Sequence, residues 1–154
     1  MSAAAPFDEL YDLYSKVLRD LARNPKHRGR LEHPTAAARG DNPMCGDRVE
    51  VSVELKADLI TDAMFTGRGC EISQASAALM TELVRGKSPE EARTMGAAVA
   101  RMAKSGAQNE STEDLARLSI FCVVHKFPSR AKCATLAWHA LDAALLGVKE
   151  TTSE

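Results

Sequence analysis

Four positions in this chain could do chemistry together. Two of them, Cys45 and Asp47, stand two residues apart in Asn42-Pro43-Met44-Cys45-Gly46-Asp47. Pro43 fixes its own φ and biases Asn42 away from helix, and Gly46 permits a φ that other residues resist. Such a turn can aim a thiol and a carboxylate at one centre. Cys70 closes the bend Gly67-Arg68-Gly69-Cys70, and Cys133 follows Pro128-Ser129-Arg130. Both are expected at the start of a helix, where the positive end of the helix dipole favours thiolate. Arg68, Arg130 and Lys132 add positive charge nearby in sequence. Three thiolates and the Asp47 carboxylate would complete a tetrahedral site of the kind Zn²⁺ favours. No Cys-x-x-Cys knuckle is present, so the residues alone leave two readings open: a metal site, or cysteines buried as small apolar side chains.

The elements that must position these groups follow from the periodicity. Phe7, Leu10, Tyr11, Tyr14, Val17, Leu18 and Leu21 recur at helical steps and predict a first helix over Phe7–Ala22, ended by Asn24-Pro25. The basic segment Pro25–Arg30 reads as a solvated linker rather than a docking surface. Thr35–Arg39 is a short candidate strand. Arg48–Leu55 alternates polar and apolar residues, Lys56-Ala57-Asp58 turns, and Leu59–Thr66 returns as the second arm of a hairpin. Helical spacing resumes at Ile72. Ser88-Pro89-Glu90-Glu91 carries the signature of a helix start, and Ser111-Thr112 starts another short helix. A last helix runs from Cys133 past Leu145, with Gly147 near its end and Val148 on its apolar stripe. Strands and helices are segregated, which predicts an α+β fold: a small antiparallel sheet of about three strands covered by helices. One domain is expected, with a core over about 7–148 and flexible tails at 1–6 and 149–154.

Composition narrows the function. The chain has 154 residues, 45% apolar and 27% charged, which is ordinary for a globular protein. A formal net charge of −1 argues against holding nucleic acid or an anionic membrane. The N-terminal residues show no basic leader and no apolar stretch, so no secretory signal is expected. The longest apolar run, Ala143–Val148, is too short to span a bilayer. The four cysteines are therefore expected in a reducing cytoplasm, where spaced cysteines serve more often as ligands or reactive thiols than as disulfides.

Three stretches carry a resemblance. Asn42–Asp47, Gly67–Ser76 and Lys132–Trp138 resemble, in order, the three cysteine motifs of the IscU/NifU-like family of iron–sulfur cluster assembly proteins. Within it, the chain is more similar to SufU-type members. Cys133 lies 63 positions after Cys70 (133 − 70), room for the extra helical insertion of that type. Lys132 stands where IscU has a histidine, and Lys126–Cys133 is similar to the SufU pattern.

The resemblance implies a SufU/IscU-like fold and a Zn²⁺ ion held by Cys45, Asp47, Cys70 and Cys133, with iron or an iron–sulfur cluster as the alternative occupant. It implies a sulfur carrier rather than a stand-alone enzyme. The partner would be a SufS-type PLP-dependent cysteine desulfurase, which passes persulfide sulfur to Cys45 while one of its own histidines takes over as zinc ligand. Sulfur would then go to the downstream SUF cluster assembly machinery. Arg130 matches an arginine of the motif and is expected to support the site. The alternatives are a scaffold building a cluster on the same cysteines, and a structural zinc module for protein contacts. Some positions depart from the pattern. The family's early histidine falls on Leu21, and His27 stands where asparagine is common. Cys122, in the apolar run Ile120–Val124, is expected to be buried and inert. His33, His125 and His139 fall outside the motifs. Ser73 and Ser76 are expected to satisfy backbone groups in the first turn of their helix.

Overall fold

A computed structural model describes residues 5–152, so of the expected tails at 1–6 and 149–154 the residues 1–4 and 153–154 lie outside the described residues. The architecture is α+β. Strand β1 spans Ala36–Asn42, β2 Asp47–Lys56 and β3 Leu59–Arg68. A fourth strand, β4, spans Glu150–Thr152, and the sheet order is β3-β2-β1-β4. β1, β2 and β3 are antiparallel neighbours, as expected. β4 corrects the expectation of three strands and a fraying tail: it pairs in parallel with β1, Arg39 opposite Glu150. Three residues cannot announce a strand by alternation. The pairing exists because β1 offers an open edge and Arg39 offers Glu150 an ion pair.

The face the sheet presents to the helices follows from the strand period. Ala38, Gly40 and Asn42 of β1, Asp47, Val49, Val51 and Val53 of β2, and Ala63 and Phe65 of β3 share it through the observed register. Val49, Val53, Ala63 and Phe65 are fully buried there. Burying each valine or phenylalanine contributes about 1.5–3 kcal/mol.

Helix α1 (Ala5–Arg23) buries Leu18, sets Tyr11, Tyr14 and Leu21 partly buried against the core and leaves Val17 exposed, so Val17 departs from the expected stripe. Helix α2 (Glu71–Leu83) packs on α1 and β3, and α5 (Ala131–Leu145) lies across β1 and β2. A Cβ on Gly40 would meet Leu136 and Ala140 of α5 at 3.1–3.3 Å, so the glycine permits that approach. Helix α3 (Pro89–Ser105) begins with the expected capping box, Ser88 and Glu91 bonding reciprocally. It packs against α5, with Gly96 set against Trp138. Helix α4 (Glu113–Leu118) is capped by Thr112. Two 3-10 segments, Ser119–Lys126 and Pro128–Arg130, join α4 to α5. The last helix ends at Leu145, so Val148 lies beyond it and is 49% exposed.

Two further expectations are corrected. The linker Pro25–Arg30 is not simply solvated: Gly29 N–H donates to Phe65 O (2.7 Å) and Phe65 N–H donates to His27 O (3.1 Å). This bridge covers part of the outer edge of β3, where open backbone groups would otherwise invite strand pairing. Ser73 does bond within its own turn, to Cys70 O (3.1 Å), but Ser76 does not. Its hydroxyl donates to Ala134 O (2.6 Å) and accepts from the Trp138 indole (3.2 Å), tying α2 to α5. Both partners lie far away in sequence, so helical position alone could not reveal them.

The β2–β3 turn holds Ala57 and Asp58 at φ +52° and +61°. Both are left-handed conformations, for which Asn-Gly is the favoured pair in two-residue hairpins. Ala57→Asn with Asp58→Gly is expected to stabilise the protein by roughly 1 kcal/mol, read as a higher urea midpoint at unchanged slope. An unchanged or lower midpoint counts against strain at this turn.

Candidate metal centre

Three loops and two helix ends converge at one end of the sheet. The β1–β2 turn is built on Asn42: its Oδ1 accepts from Met44 N–H (3.1 Å), and its carbonyl accepts from Gly46 N–H (2.8 Å). Gly46 adopts φ +76°, which closes the turn. Cys45 is thereby held exposed at the tip. Asp47, paired opposite Asn42, is the first residue of β2 and points to the helix-facing side, where it is 3% exposed.

Asp47 meets the second cysteine bend directly. Its Oδ1 accepts from Cys70 N–H at 3.0 Å. Gly69, at φ +147°, makes room for this, since a Cβ there would lie 2.6 Å from Asp47 Cγ. Cys70 is the N-cap of α2, its sulfur accepting from Ser73 N–H at 3.5 Å. Cys133 is the third residue of α5 and is buried. Its Sγ lies 3.9 Å from Cys45 Sγ and 4.0 Å from Asn42 Nδ2, which donates to it. Both helices turn their N-termini, the positive ends of their dipoles, toward these sulfurs.

Ligand atoms of Cys45, Asp47 and Cys133 all lie within 4.8 Å of one another. Cys70, the fourth expected ligand, is not in that set. It adjoins it through its backbone N–H, which donates to Asp47. The donor chemistry fits a thiophilic cation. Two thiolates on one tetrahedral zinc stand about 3.8 Å apart, given Zn–S near 2.3 Å, and Cys45 and Cys133 are at 3.9 Å. Asp47 Oδ2 is buried without a hydrogen-bond partner. An orphaned carboxylate oxygen is costly unless something positive meets it.

The two inner cysteines share a proton unequally. The Cys70 thiol is pulled down to about 6, chiefly by its hydrogen bond with Cys133 and then by the Ser73 N–H, against the opposing effect of burial. Cys133 is pushed well above the ordinary thiol range by that same bond, by burial and by the neighbouring Cys70 and Asp47 charges. Without metal, this pairing favours negative charge on Cys70 over Cys133.

The surrounding cavity, about 560 Å³, is lined by Met44, Pro128, Ser129, Arg130 and Lys132 as well as the four expected ligands. Arg130, Lys132 and Met44 are exposed at its rim, Met44 at 80%. Cys122 is absent from the lining. It is buried in the first 3-10 segment, burial raises its thiol pKa, and its carbonyl meets His125 Nδ1 at 2.9 Å. His27, His33, His125 and His139 do not line the cavity either. Sequence reasoning assigned no separate role to Asn42 or Gly69. The Asn-Pro start of the turn is a signal for the first. The close approach that requires Gly69 has no signal in one sequence.

Comparison with known proteins identifies the chain's relatives. Residues 13–134 match the NifU-like N-terminal domain. The chain belongs to that family, the iron–sulfur cluster assembly family its cysteine motifs resemble. It is 39% identical over 130 residues to the zinc-dependent sulfurtransferase SufU of Bacillus subtilis, covering 84% of this chain and 87% of that one. It is also 39% identical over 137 residues to the iron–sulfur cluster assembly scaffold protein IscU of Streptococcus pyogenes, covering 89% and 85%. A crystal structure of the N-terminal part of a NifU-like protein from Brucella abortus superposes with a TM-score of 0.80 at 26% identity, covering 89% of this chain and 94% of that one.

In metal-free protein, thiolate absorbance at 240 nm should rise through a step centred at about pH 6 that is lost in Cys70→Ser. A titration with no step below the ordinary cysteine range of about 8–9 rejects this charge assignment.

Proposed function

We propose that the protein is a sulfur acceptor of iron–sulfur cluster assembly, holding Zn²⁺ on Cys45, Asp47, Cys70 and Cys133. It takes sulfur on Cys45 from the persulfide of a SufS-type, PLP-dependent cysteine desulfurase and passes it to the SUF cluster assembly machinery. The cytoplasm, where thiols stay reduced, is the compartment this chemistry requires. Among the described residues no helix is long and apolar enough to cross a membrane.

The observation that supports this reading is the contrast in exposure within one cluster. Cys45 is exposed on a turn, whereas Cys133 and Asp47 are 2% and 3% exposed. A partner's persulfide can reach the first and not the others. In the transfer, the Cys45 thiolate attacks the terminal sulfur of the donor persulfide. A new S–S bond forms on Cys45, the donor's S–S bond breaks, and the donor cysteine leaves as thiolate. Arg130, on the cavity rim, sets a guanidinium where negative charge enters and leaves. Bound zinc would keep the thiolates deprotonated and mute their reactivity until Cys45 is needed. Asp47 stays a ligand throughout, because its buried carboxylate is fixed by the Cys70 N–H and is not a nucleophile toward sulfur.

A scaffold role is the second reading, favoured by the identity to the Streptococcus pyogenes scaffold protein. Thiolates suit zinc and iron alike. Lys132, standing where the scaffold-type motif has histidine, favours the acceptor.

Protein purified without added iron is expected to be colourless with about one zinc per chain. A brown protein with sulfide-to-iron absorbance and no zinc would point to the scaffold. Cys45→Ser is expected to reduce sulfur uptake from the desulfurase to background, followed with radiolabelled cysteine. Unchanged uptake in a folded variant rejects Cys45 as acceptor and leaves a structural zinc role. Asp47→Ala is expected to weaken zinc binding by more than the roughly 10–100-fold typical of losing an outer-shell partner. It should also lower the melting temperature, since metal binding and folding are coupled. Chelator competition giving parental affinity would remove Asp47 from the ligand set.

A further inference from the structure

The basic segment expected to be a linker contains one residue with an unusual set of partners. Arg28 Nη2 donates to Gly67 O at 3.0 Å, and Arg28 Nη1 donates to Gln74 Oε1 at 3.2 Å. The same guanidinium lies 5.8 Å from the centroid of the Phe65 ring, which is fully buried. Its backbone is fixed by the bridge to Phe65 already described. Three attachments therefore meet in one planar group: the end of β3, the bend before Cys70 and the first turn of α2.

We propose that Arg28 is a positioning residue for the metal centre, clamping the Gly67–Cys70 bend to the first turn of α2 so that Cys70 stays against Cys133 and Asp47. Gly67 O is three residues before Cys70, and Gln74 is one helical turn after it, its N–H donating to Cys70 O at 3.1 Å. Cys70 is thus held between the two points that Arg28 ties together. The clamp reinforces the bend beyond the Asp47 Oδ1 bond to Cys70 N–H. The bend has two glycines, one at φ +147°.

Gln74 sharpens the dependence. It is 8% exposed, and its Nε2 has no hydrogen-bond partner. Its Oε1 accepts from Arg28, and among the described residues no other donor to it is recorded. Removing Arg28 leaves both ends of a buried amide unpaired, and α2 is expected to shift its first turn to bring that amide to water. Lysine cannot substitute, because one ammonium lacks the planar fork that reaches two acceptors while lying over a ring. Arg30, two residues on, is the natural control, since its ion pair is with Glu50 on the solvent side of β2.

The proposal rests on the four-ligand reading for its functional meaning, but its geometry is testable without metal. In chelator-treated protein, Arg28→Ala is expected to speed amide hydrogen exchange of the 67–75 segment at least several-fold and to raise the alkylation rate of Cys70 relative to Cys45. Arg30→Ala should change neither. With zinc restored, Arg28→Ala should weaken zinc binding about 10-fold or more by chelator competition, and Arg28→Lys should recover little of it. If Arg28→Ala does not fold, the comparison is made with Arg28→Lys and Gln74→Leu. Exchange and alkylation at parental rates in the folded variants overturn the clamp. Faster exchange in Arg28→Ala, together with a parent protein that binds no zinc, leaves the clamp standing and overturns the zinc reading instead.

Discussion

The Asp47 carboxylate is the constraint on which this end of the molecule depends. It is a charged group placed on the buried face of a sheet, with one oxygen on the Cys70 N–H and the other without a partner. Leaving a buried carboxylate oxygen without a partner costs free energy, so a cation meeting it would stabilise the fold at this point. Everything around it serves the approach. Gly69 has no side chain because the carboxylate occupies that space. Asn42 and Gly46 fold the turn so that Cys45 reaches Cys133. The helix ends of α2 and α5 supply positive potential beside the sulfurs and the carboxylate.

Register gives this arrangement its precision. Asp47 shares a face with Val49, Val51 and Val53, and Asn42 shares the matching face of β1. Because the side-chain period of a strand is two, a slip of one residue would expose all of them together. The same valines that make the core therefore fix where the carboxylate points. Core packing and site geometry are one interaction, and the site cannot be moved without unmaking the sheet's buried face.

The division of labour between Cys45 and the inner ligands has a physical origin in the chain. A turn residue is tied down only by its neighbours and stays on the surface, whereas Cys70 and Cys133 are embedded in helix starts that pack on the core. Hydrogen bonding between Cys70 and Cys133 sets which of the two carries charge. The thiol with the least protein around it is thus the one a partner could reach.

The sequence by itself determined the kinds of element and the identity of the chemical groups. The alternation of Arg48–Leu55 gave β2, the capping box at Ser88 gave the start of α3, and three cysteine motifs in order gave the family, because these signals are local and read within a few residues. Tertiary structure alone decided the rest. It brought Cys45 within 3.9 Å of Cys133 across 88 positions of sequence, turned Glu150–Thr152 from an expected tail into a strand, and drew Arg28 out of an expected linker. It also sent Ser76 to another helix and left Cys70 beside the tightest ligand cluster rather than in it. Each of these depends on a partner distant in sequence. No periodicity carries that information, because only the packing of the helices on one face of the sheet decides which distant groups meet.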